Sequence, residues 1–291
     1  MYKSDFKIAV HITHHITSNP KEMRNKDILL KKVINNYLSL SKSVNIFIHL
    51  NKKMQSKYKT AKVNCIVHKL KKEHPFYLSW KCRRIMEKQK NNYDVFVYTE
   101  NDILFKKNNF NYWLQNKDIC KNNNYNLGFI RVEDNKKKKK GGGRGIYAID
   151  IFLKLKKLIS INNREFIIND NNSFCAFWIY DNEEFNKFIR SDVWKFKWKT
   201  RFQHYGDIRA MSAIGWHGRF MGHYRNTLIP LKNRRLDINS IIYHLENKYS
   251  ITNHGPGSLK VNKLLNKELI KINFIFSLKI FIQKIYKKII N

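Results

Sequence analysis

The chain has 291 residues, of which 43% are hydrophobic and 14% aromatic, so it can bury a core and wholesale disorder is excluded. Its 57 lysines and arginines against 22 acidic residues give a formal charge of +35, which predicts attraction to phosphates, acidic membranes or nucleic acid; an AT-rich genome that enriches lysine throughout is the alternative explanation. The four cysteines form no C-x-x-C pair, which argues against a zinc site and a disulfide framework and favours a reducing compartment.

The first half of the sequence alternates between strand and helix patterns. Strands are predicted at 6–12, 44–50, 61–70, 93–99 and 126–133, and helices at 26–40, at 77–90 and around "FNYWLQ". This order predicts an α/β fold with a mostly parallel sheet flanked by helices. Ligands of such sheets bind outside the carboxyl ends of the strands, so we expect a site where the strand beginning at Tyr93 ends.

The second half is less regular. The stretch 134–145, "DNKKKKKGGGRG", is typical of a solvated loop, because it lacks the G-x-x-x-x-G-K-[ST] pattern of a phosphate loop. "SFCAFWIYDNEEFNKFI" predicts a strand followed by a helix. Residues 261–291 predict a basic amphipathic helix that lies on an anionic membrane surface or, alternatively, on the core of the protein itself. We expect no signal peptide at the N-terminus, and no segment reaches the roughly 18 apolar residues of a spanning helix.

The strand at Tyr93 ends on carboxylates, in the sequence "YDVFVYTENDILF". Glu100 and Asp102 lie two positions apart, so a regular strand would direct both side chains to the same side. Two carboxylates at a strand end could hold Mg²⁺ or Mn²⁺, which bind oxygen ligands and substrate phosphates. The alternative is a polar turn.

A buried strand that ends in "TENDILF" resembles the D-x-D region of GT-A fold glycosyltransferases, which bind a nucleotide-sugar donor through a divalent metal ion on its diphosphate. The first acidic position here is Glu100 instead of Asp, so Asp102 is the preferred metal ligand. "HYGDIRAMSAIG" resembles the motif that supplies the catalytic base of many inverting members, which implies that role for Asp207; a helix N-cap is the alternative. "IIYHLENKY" places His244 where family members often carry a late histidine that completes the metal site, unless it is an ordinary core or surface histidine.

The resemblance covers most of the chain and implies further roles. It predicts one GT-A-like domain at 1–260, with a donor-binding half at 1–133 and an acceptor-binding half at 146–260. The first strand, "FKIAVHITHH", implies contact of His11 and Thr13 with the nucleotide, beside Asn101. Guanidinium groups suit diphosphates, so Arg83 and Arg84 are predicted donor ligands, against the alternative of a solvated basic face. Aromatic rings that hold the acceptor sugar are predicted at Trp178 and Trp216, against the alternative of core positions.

The expected function is therefore glycosyl transfer from a nucleotide sugar to a surface or lipid-linked glycan, assisted by Mn²⁺ or Mg²⁺. The expected location is the cytoplasmic face of a membrane, with peripheral attachment and no specific nucleic-acid partner. Two other classes stay open. The charge also suits a basic nucleic-acid-binding protein or a metal-dependent nuclease. A non-catalytic membrane-surface protein on the same fold is the third possibility.

Overall fold

The computed structural model describes residues 5–54, 58, 60–70, 74–135, 144–151, 153–170, 174–195, 212–213, 215–216, 224–250 and 259–272. Its helices are α1 (Pro20–Leu38), α2 (Leu78–Lys88), α3 (Lys107–Asn122) and α4 (Asn182–Arg190). Its strands are β1 (Ile8–His14), β2 (Val44–Leu50), β3 (Val63–Val67), β4 (Val95–Glu100), β5 (Ile103–Leu104), β6 (Asn126–Leu127), β7 (Ile130–Asn135), β8 (Gly145–Ala148), β9 (Leu155–Ile161), β10 (Arg164–Asn169), β11 (Phe177–Asp181), β12 (Thr227–Lys232), β13 (Arg235–Leu236), β14 (Ile241–His244), β15 (Leu259–Lys260) and β16 (Leu265–Lys271).

The chain divides into two compact units that interleave along the sequence. The first unit comprises Met1–Phe110, Phe174–Trp216 and Tyr243–Glu246. The second comprises Asn111–Ser173, His217–Ile242 and Asn247–Asn291. These boundaries differ from the predicted division into a half at 1–133 and a half at 146–260.

The first unit contains the predicted mostly parallel sheet. Its strand order is β11-β4-β1-β2-β3, in which β1 pairs in parallel with both β2 and β4, β2 pairs in parallel with β3, and only the edge strand β11 runs antiparallel. Every residue of β1 is buried, as expected for a central parallel strand. Helices α1 and α2 contact the β1 and β2 region, and α4 contacts β4 and β11. The predicted α/β fold, with a sheet flanked by helices, is confirmed for this unit.

Helix α1 illustrates how the sequence sets these elements. Asn19 is the N-cap, and its side chain accepts hydrogen bonds from the backbone N–H groups of Lys21 and Glu22. Pro20 follows at the first helical position, where its missing N–H costs nothing. The helix buries an apolar face at helical spacing that includes Leu30, Val33, Ile34 and Tyr37. The same spacing in the sequence predicted this helix.

The second unit is built mainly from antiparallel strands, which the sequence did not predict. Strands β13, β12, β10 and β9 pair antiparallel in that order, β16 adds in parallel to β9, and β6 adds in parallel to β12. Strands β7 and β8 pair antiparallel around the predicted loop, from Val132 opposite Ala148 to Asn135 opposite Gly145. Residues 136–143 of that loop lie outside the described residues.

The C-terminal segment differs from the predicted helix over its described part. Val261–Lys263 forms a 3-10 helix, and β16 follows, paired with β9. Leu264 and Ile272 are buried at the two ends of this strand. The helix prediction is therefore corrected for 261–272, while 273–291 lie outside the described residues. Within the described ranges, no helix is both long enough and apolar enough to cross a membrane.

Candidate metal centre

The acidic tip, Glu100–Asp102, includes a tight turn between two buried strands of the first unit. Strand β4 ends at Glu100, Asn101 and Asp102 form the turn, and β5 begins at once with Ile103. Asp102 is only 6% exposed, so this turn is not a solvated surface loop. A buried carboxylate is stable only beside compensating donors or a cation.

His244, the second predicted metal ligand, lies against this turn. Strand β14 runs antiparallel to β5, with His244 opposite Ile103. The Leu245 backbone N–H donates to the Asp102 carbonyl at 2.8 Å. His244 Nε2 is 3.1 Å from Asp102 Oδ2, and His244 is 3% exposed. The structure thus brings the Asp102 carboxylate and the His244 imidazole within hydrogen-bonding distance of each other.

A third residue of the cluster is Glu246, which the sequence analysis did not single out. One ligand atom from each of Asp102, His244 and Glu246 lies within 4.8 Å of the other two. Glu246 is half-buried in the turn that follows β14. The H-x-E spacing in "IIYHLENKY" was the available signal, because a histidine and a carboxylate two positions apart can face one side of an extended chain.

These three side chains form a donor set suited to a divalent cation. They offer two carboxylates and one imidazole, with two of the three residues buried. Carboxylates suit Mg²⁺ and Mn²⁺, and an imidazole ligand favours a transition ion over Mg²⁺. In a chain with 22 acidic residues and a formal charge of +35, two carboxylates beside a buried histidine are a chemically distinctive arrangement.

Glu100, Thr13 and Asn101 lie near the same strand ends. Glu100 is opposite Thr13 in the β1–β4 ladder, and its backbone N–H donates to the Ala176 carbonyl at 3.3 Å. The Thr13 hydroxyl lies 3.3 Å from the Tyr98 hydroxyl. Glu100 is not one of the three residues of the metal cluster. Asn101 is partly exposed within the turn.

His11 does not have the predicted donor-binding environment. Its side chain is fully buried, and its Nδ1 lies 2.9 Å from His49 Nε2. Burial lowers the pKa of His11 to about 3. The predicted contact of His11 with the nucleotide is therefore corrected, because its buried ring contacts the ring of His49 instead.

The two predicted arginines have different environments. Arg83 is buried, and its guanidinium donates to the carbonyls of Val193 at 2.8 Å, Trp194 at 2.6 Å and Ser212 at 3.1 Å. A guanidinium held by three backbone carbonyls organises this part of the first unit, so its predicted role as a diphosphate ligand is corrected. Arg84, the next residue of α2, is exposed.

Both predicted acceptor-binding tryptophans belong to the core of the first unit. Trp178 is buried and stacks on Tyr180 with ring centroids 5.1 Å apart. Trp216 is buried and stacks on Phe188 at 5.7 Å, and its backbone N–H donates to the Tyr180 hydroxyl at 2.7 Å. Their alternative assignment as core residues is the correct one. Asp207, the predicted base, lies outside the described residues.

The sequence matches no protein-family model and no curated protein. Among solved structures it is similar to the bifunctional IspDF of Campylobacter jejuni (12% identity, 72% of this chain, 47% of that chain, TM-score 0.36). It is also similar to a protein assigned as a glucose-1-phosphate thymidylyltransferase of Bacillus anthracis (11%, 67%, 77%, 0.36) and to a mannose-1-phosphate geranyltransferase of Thermus thermophilus (8%, 82%, 74%, 0.36).

The chain spans about half the length of the Campylobacter protein. Because the TM-scores are low, the α/β assignment depends on the strand order and pairing described above.

Proposed function

We propose that the protein is a transferase that uses a nucleotide-sugar donor and is assisted by a divalent cation, with the cation held by Asp102, His244 and Glu246. The observation that carries this proposal is the convergence of these three side chains just beyond the carboxyl end of β4. Ligands of parallel α/β sheets bind at that edge. The arrangement suits a phosphate-bearing substrate, because three protein ligands leave coordination positions open and such cations are commonly shared between one or two carboxylates and substrate phosphates.

Manganese is the cation that we propose, because it binds carboxylate oxygens and is a transition ion. Mg²⁺ prefers oxygen ligands alone, whereas the set contains the His244 imidazole. When bound, a divalent cation supplies positive charge to the diphosphate that leaves the sugar. Thr13, Asn101 and Arg84 are the residues that we propose for contacts to the rest of the donor.

We further propose that the reaction is glycosyl transfer to a surface or lipid-linked glycan. In an inverting reaction, Asp207 would accept the proton of the acceptor hydroxyl as that oxygen attacks the sugar. Peripheral contact with the inner face of a membrane would bring the protein to such an acceptor. The formal charge of +35 supports this proposal, since anionic lipid surfaces attract basic chains.

Calorimetric titration of the full chain with UDP-, GDP- and CMP-sugars, with and without Mn²⁺, tests the proposal. We expect one nucleotide class to bind only when Mn²⁺ is present. Asp102→Asn should weaken Mn²⁺ binding by more than about 100-fold, since loss of even an outer-shell partner of a metal site typically costs 10–100-fold. Asp118→Asn is the charge-matched control, because Asp118 is an exposed residue of α3.

Salt-sensitive binding to DNA of any sequence, without binding of any nucleotide sugar, would contradict this proposal and favour the nucleic-acid-binding alternative.

A further inference from the structure

Three histidines form a continuous row across the parallel strands of the first unit. His11 lies in β1 and His49 in β2, opposite Thr13, so the row advances by two residues from one strand to the next. His68 follows the end of β3 and advances by two residues again, since Ile66 is opposite His49. Side chains two residues apart on a strand share a face, so all three rings lie on the same face of the sheet.

The rings are joined by hydrogen bonds from nitrogen to nitrogen. His11 Nδ1 lies 2.9 Å from His49 Nε2, and His49 Nδ1 lies 2.8 Å from His68 Nε2. Neighbouring ring centroids are 5.2 Å and 5.1 Å apart, with interplanar angles of 20° and 22°. His11 and His49 are fully buried, whereas His68 is partly exposed. The row therefore leads from the interior of the sheet to solvent.

The number of protons on this row follows from its geometry. Each nitrogen–nitrogen contact needs one proton, because two lone pairs repel each other and two N–H groups clash. Three neutral imidazoles carry three protons, of which two occupy the contacts. The third sits on one of the two terminal nitrogens, His11 Nε2 or His68 Nδ1. One further proton fills the other terminal nitrogen and leaves both contacts intact. A second further proton would force two N–H groups into one contact.

We propose that His11, His49 and His68 together form a binding site for one proton taken from solvent at the His68 end. The row accepts that proton without losing a hydrogen bond and does not accept another while it is folded. The positive charge stays mainly on His68, because a charge on either fully buried ring would lose its hydration. This site goes beyond the proposed transferase function and shares no residue with the metal cluster.

The groups that face the row differ between its inner and outer ends. Phe47 stacks on His11 with ring centroids 5.0 Å apart. The strand β4 places Tyr98 opposite His11. The amide of Gln89, just after helix α2, acts on His11 at the inner end. At the outer end, partial burial and the positive charge of Lys81 in α2 both lower the pKa of His68, so the proton binds there only on acidification. A buried amide oxygen near the inner end favours an N–H group there over a second lone pair, so we expect the neutral row to carry its protons on Nε2 of all three rings.

Nuclear magnetic resonance of the full chain with ¹⁵N-labelled histidine tests the proposal. In neutral solution we expect the Nε2–H form on all three rings and a nitrogen–nitrogen coupling across each of the two hydrogen bonds. On acidification, one proton should bind to the row, with the largest ¹⁵N shift at His68 Nδ1, and both couplings should persist. Absence of either coupling, or uptake of two protons before unfolding, would overturn the proposal.

A variant separates proton binding from hydrogen bonding. His68→Gln can place an amide N–H where His68 Nε2 donates, but an amide does not take up a proton in this pH range. We expect this variant to keep the His11–His49 coupling and to lose the proton uptake. The control is His74→Asn, which alters a histidine at the exposed start of the next segment and should change neither property. Unchanged uptake by the row in His68→Gln would refute His68 as the entry point, and the couplings of the wild-type chain decide the outcome if that variant does not fold.

Discussion

Glu100 and Asp102, the two carboxylates at the end of β4, make different contacts with the neighbouring backbone. Glu100 is the last residue of β4 and is held in the ladder opposite Thr13. Asp102 is the second residue of the turn, and its carbonyl accepts a hydrogen bond from the backbone N–H of Leu245, the residue after β14. The turn therefore directs Asp102, and not Glu100, to the histidine. This difference predicts unequal roles for the carboxylates of the region.

Variants of Glu246 and Glu100 test whether these carboxylates contribute unequally to cation binding. Glu246→Gln keeps the size of the side chain but removes the negative charge, so we expect Mn²⁺ binding to weaken by roughly 10-fold or more. Glu100→Gln should change it by less than about 3-fold, because Glu100 is outside the cluster. Titration of Mn²⁺ by electron paramagnetic resonance measures both variants. An equal loss in both, or a larger loss in Glu100→Gln, would place the cation on the strand end and not in the cluster.

The sequence predicted some of these residues and not others, for physical reasons. The position of Asp102 just after a strand was predictable, because an apolar run that ends in carboxylates marks a strand end. The roles of His11, Arg83 and Trp178 depend on partners far away in sequence, namely His49, the carbonyls of residues 193–212, and Tyr98. Composition and local spacing carry no record of such partners. For this reason the sequence predicted binding roles for His11, Arg83 and Trp178, which the structure buries in the core.

At the scale of elements, the residue after Glu246 has an unusual backbone conformation. Asn247 has a φ of 53°, in the left-handed region that asparagine tolerates better than most residues. Its side-chain oxygen accepts a hydrogen bond from the Asp134 backbone N–H at 3.0 Å. The left-handed residue is the neighbour in sequence of a proposed metal ligand, so we expect its backbone conformation to influence the direction of Glu246.

Three variants test this effect. Asn247→Ala should destabilise the fold by about 1–2 kcal/mol, because alanine is strained at positive φ, and should also weaken Mn²⁺ binding. Asn247→Gly should recover most of both losses, since glycine adopts this φ without strain. Asn163→Ala is the matched control: Asn163 has a φ of 60° in the turn between β9 and β10, and its loss should lower stability alone. Equal Mn²⁺ affinity in Asn247→Ala and wild type would show that the turn does not position Glu246.

Left-handed turn residues also explain why the parallel sheet of the first unit was predicted from the sequence and the antiparallel strands of the second unit were not. Parallel strands such as β1 and β2 are apolar runs separated by helices, and that alternation is visible in the sequence. Strands β9 and β10 are joined by Asn162–Asn163, and β12 and β13 by Asn233–Arg234, all at positive φ. Hairpin turns of this kind are usually recognised by glycine. Asparagine is abundant throughout this chain, so here it gives no local signal.

At the scale of the whole molecule, the buried histidines predict how stability depends on pH. The pKa of His11 is lowered from 6.5 to about 3, and burial lowers that of His49 well below 6.5 as well. The unfolded chain therefore binds protons that the folded chain refuses as pH falls below 6.5. Their stabilising contribution is complete above pH 6.5 and is lost progressively as pH falls towards 3.

Urea unfolding between pH 7.5 and 5 measures this contribution, above the range in which carboxylates dominate. A single histidine with a shift of this size contributes on the order of 5 kcal/mol over its full range, of which about 2 kcal/mol falls above pH 5. We expect the unfolding free energy to decrease by at least that amount, and the decrease to shrink in His11→Gln. A free energy that is constant or rises on acidification would contradict the buried neutral state of these rings.

The last prediction concerns residues 261–291. The position of β16 determines which truncation tests their contact with a membrane. Removal of everything after Val261 would delete β16, which pairs with β9, so lost membrane binding could reflect damage to the second unit. A chain that ends at Ile272 keeps this strand and loses only 273–291, which contain Lys279, Lys284, Lys287 and Lys288. Each lysine near an anionic surface contributes about 1 kcal/mol at moderate salt. We expect this shorter chain to bind phosphatidylserine vesicles at least 10-fold more weakly in sedimentation assays while Mn²⁺ binding is retained.

Replacing the four lysines by glutamine in the full chain separates charge from apolar contact. A membrane-surface segment should lose most of its salt-dependent binding in this variant but keep a weaker, salt-independent component from its isoleucines and phenylalanines. A segment that packs on the protein itself would instead lower the unfolding free energy when removed and leave vesicle binding unchanged. Unchanged binding in both variants would mean that the remaining basic surface, with most of the +35 charge, is sufficient to attract the membrane.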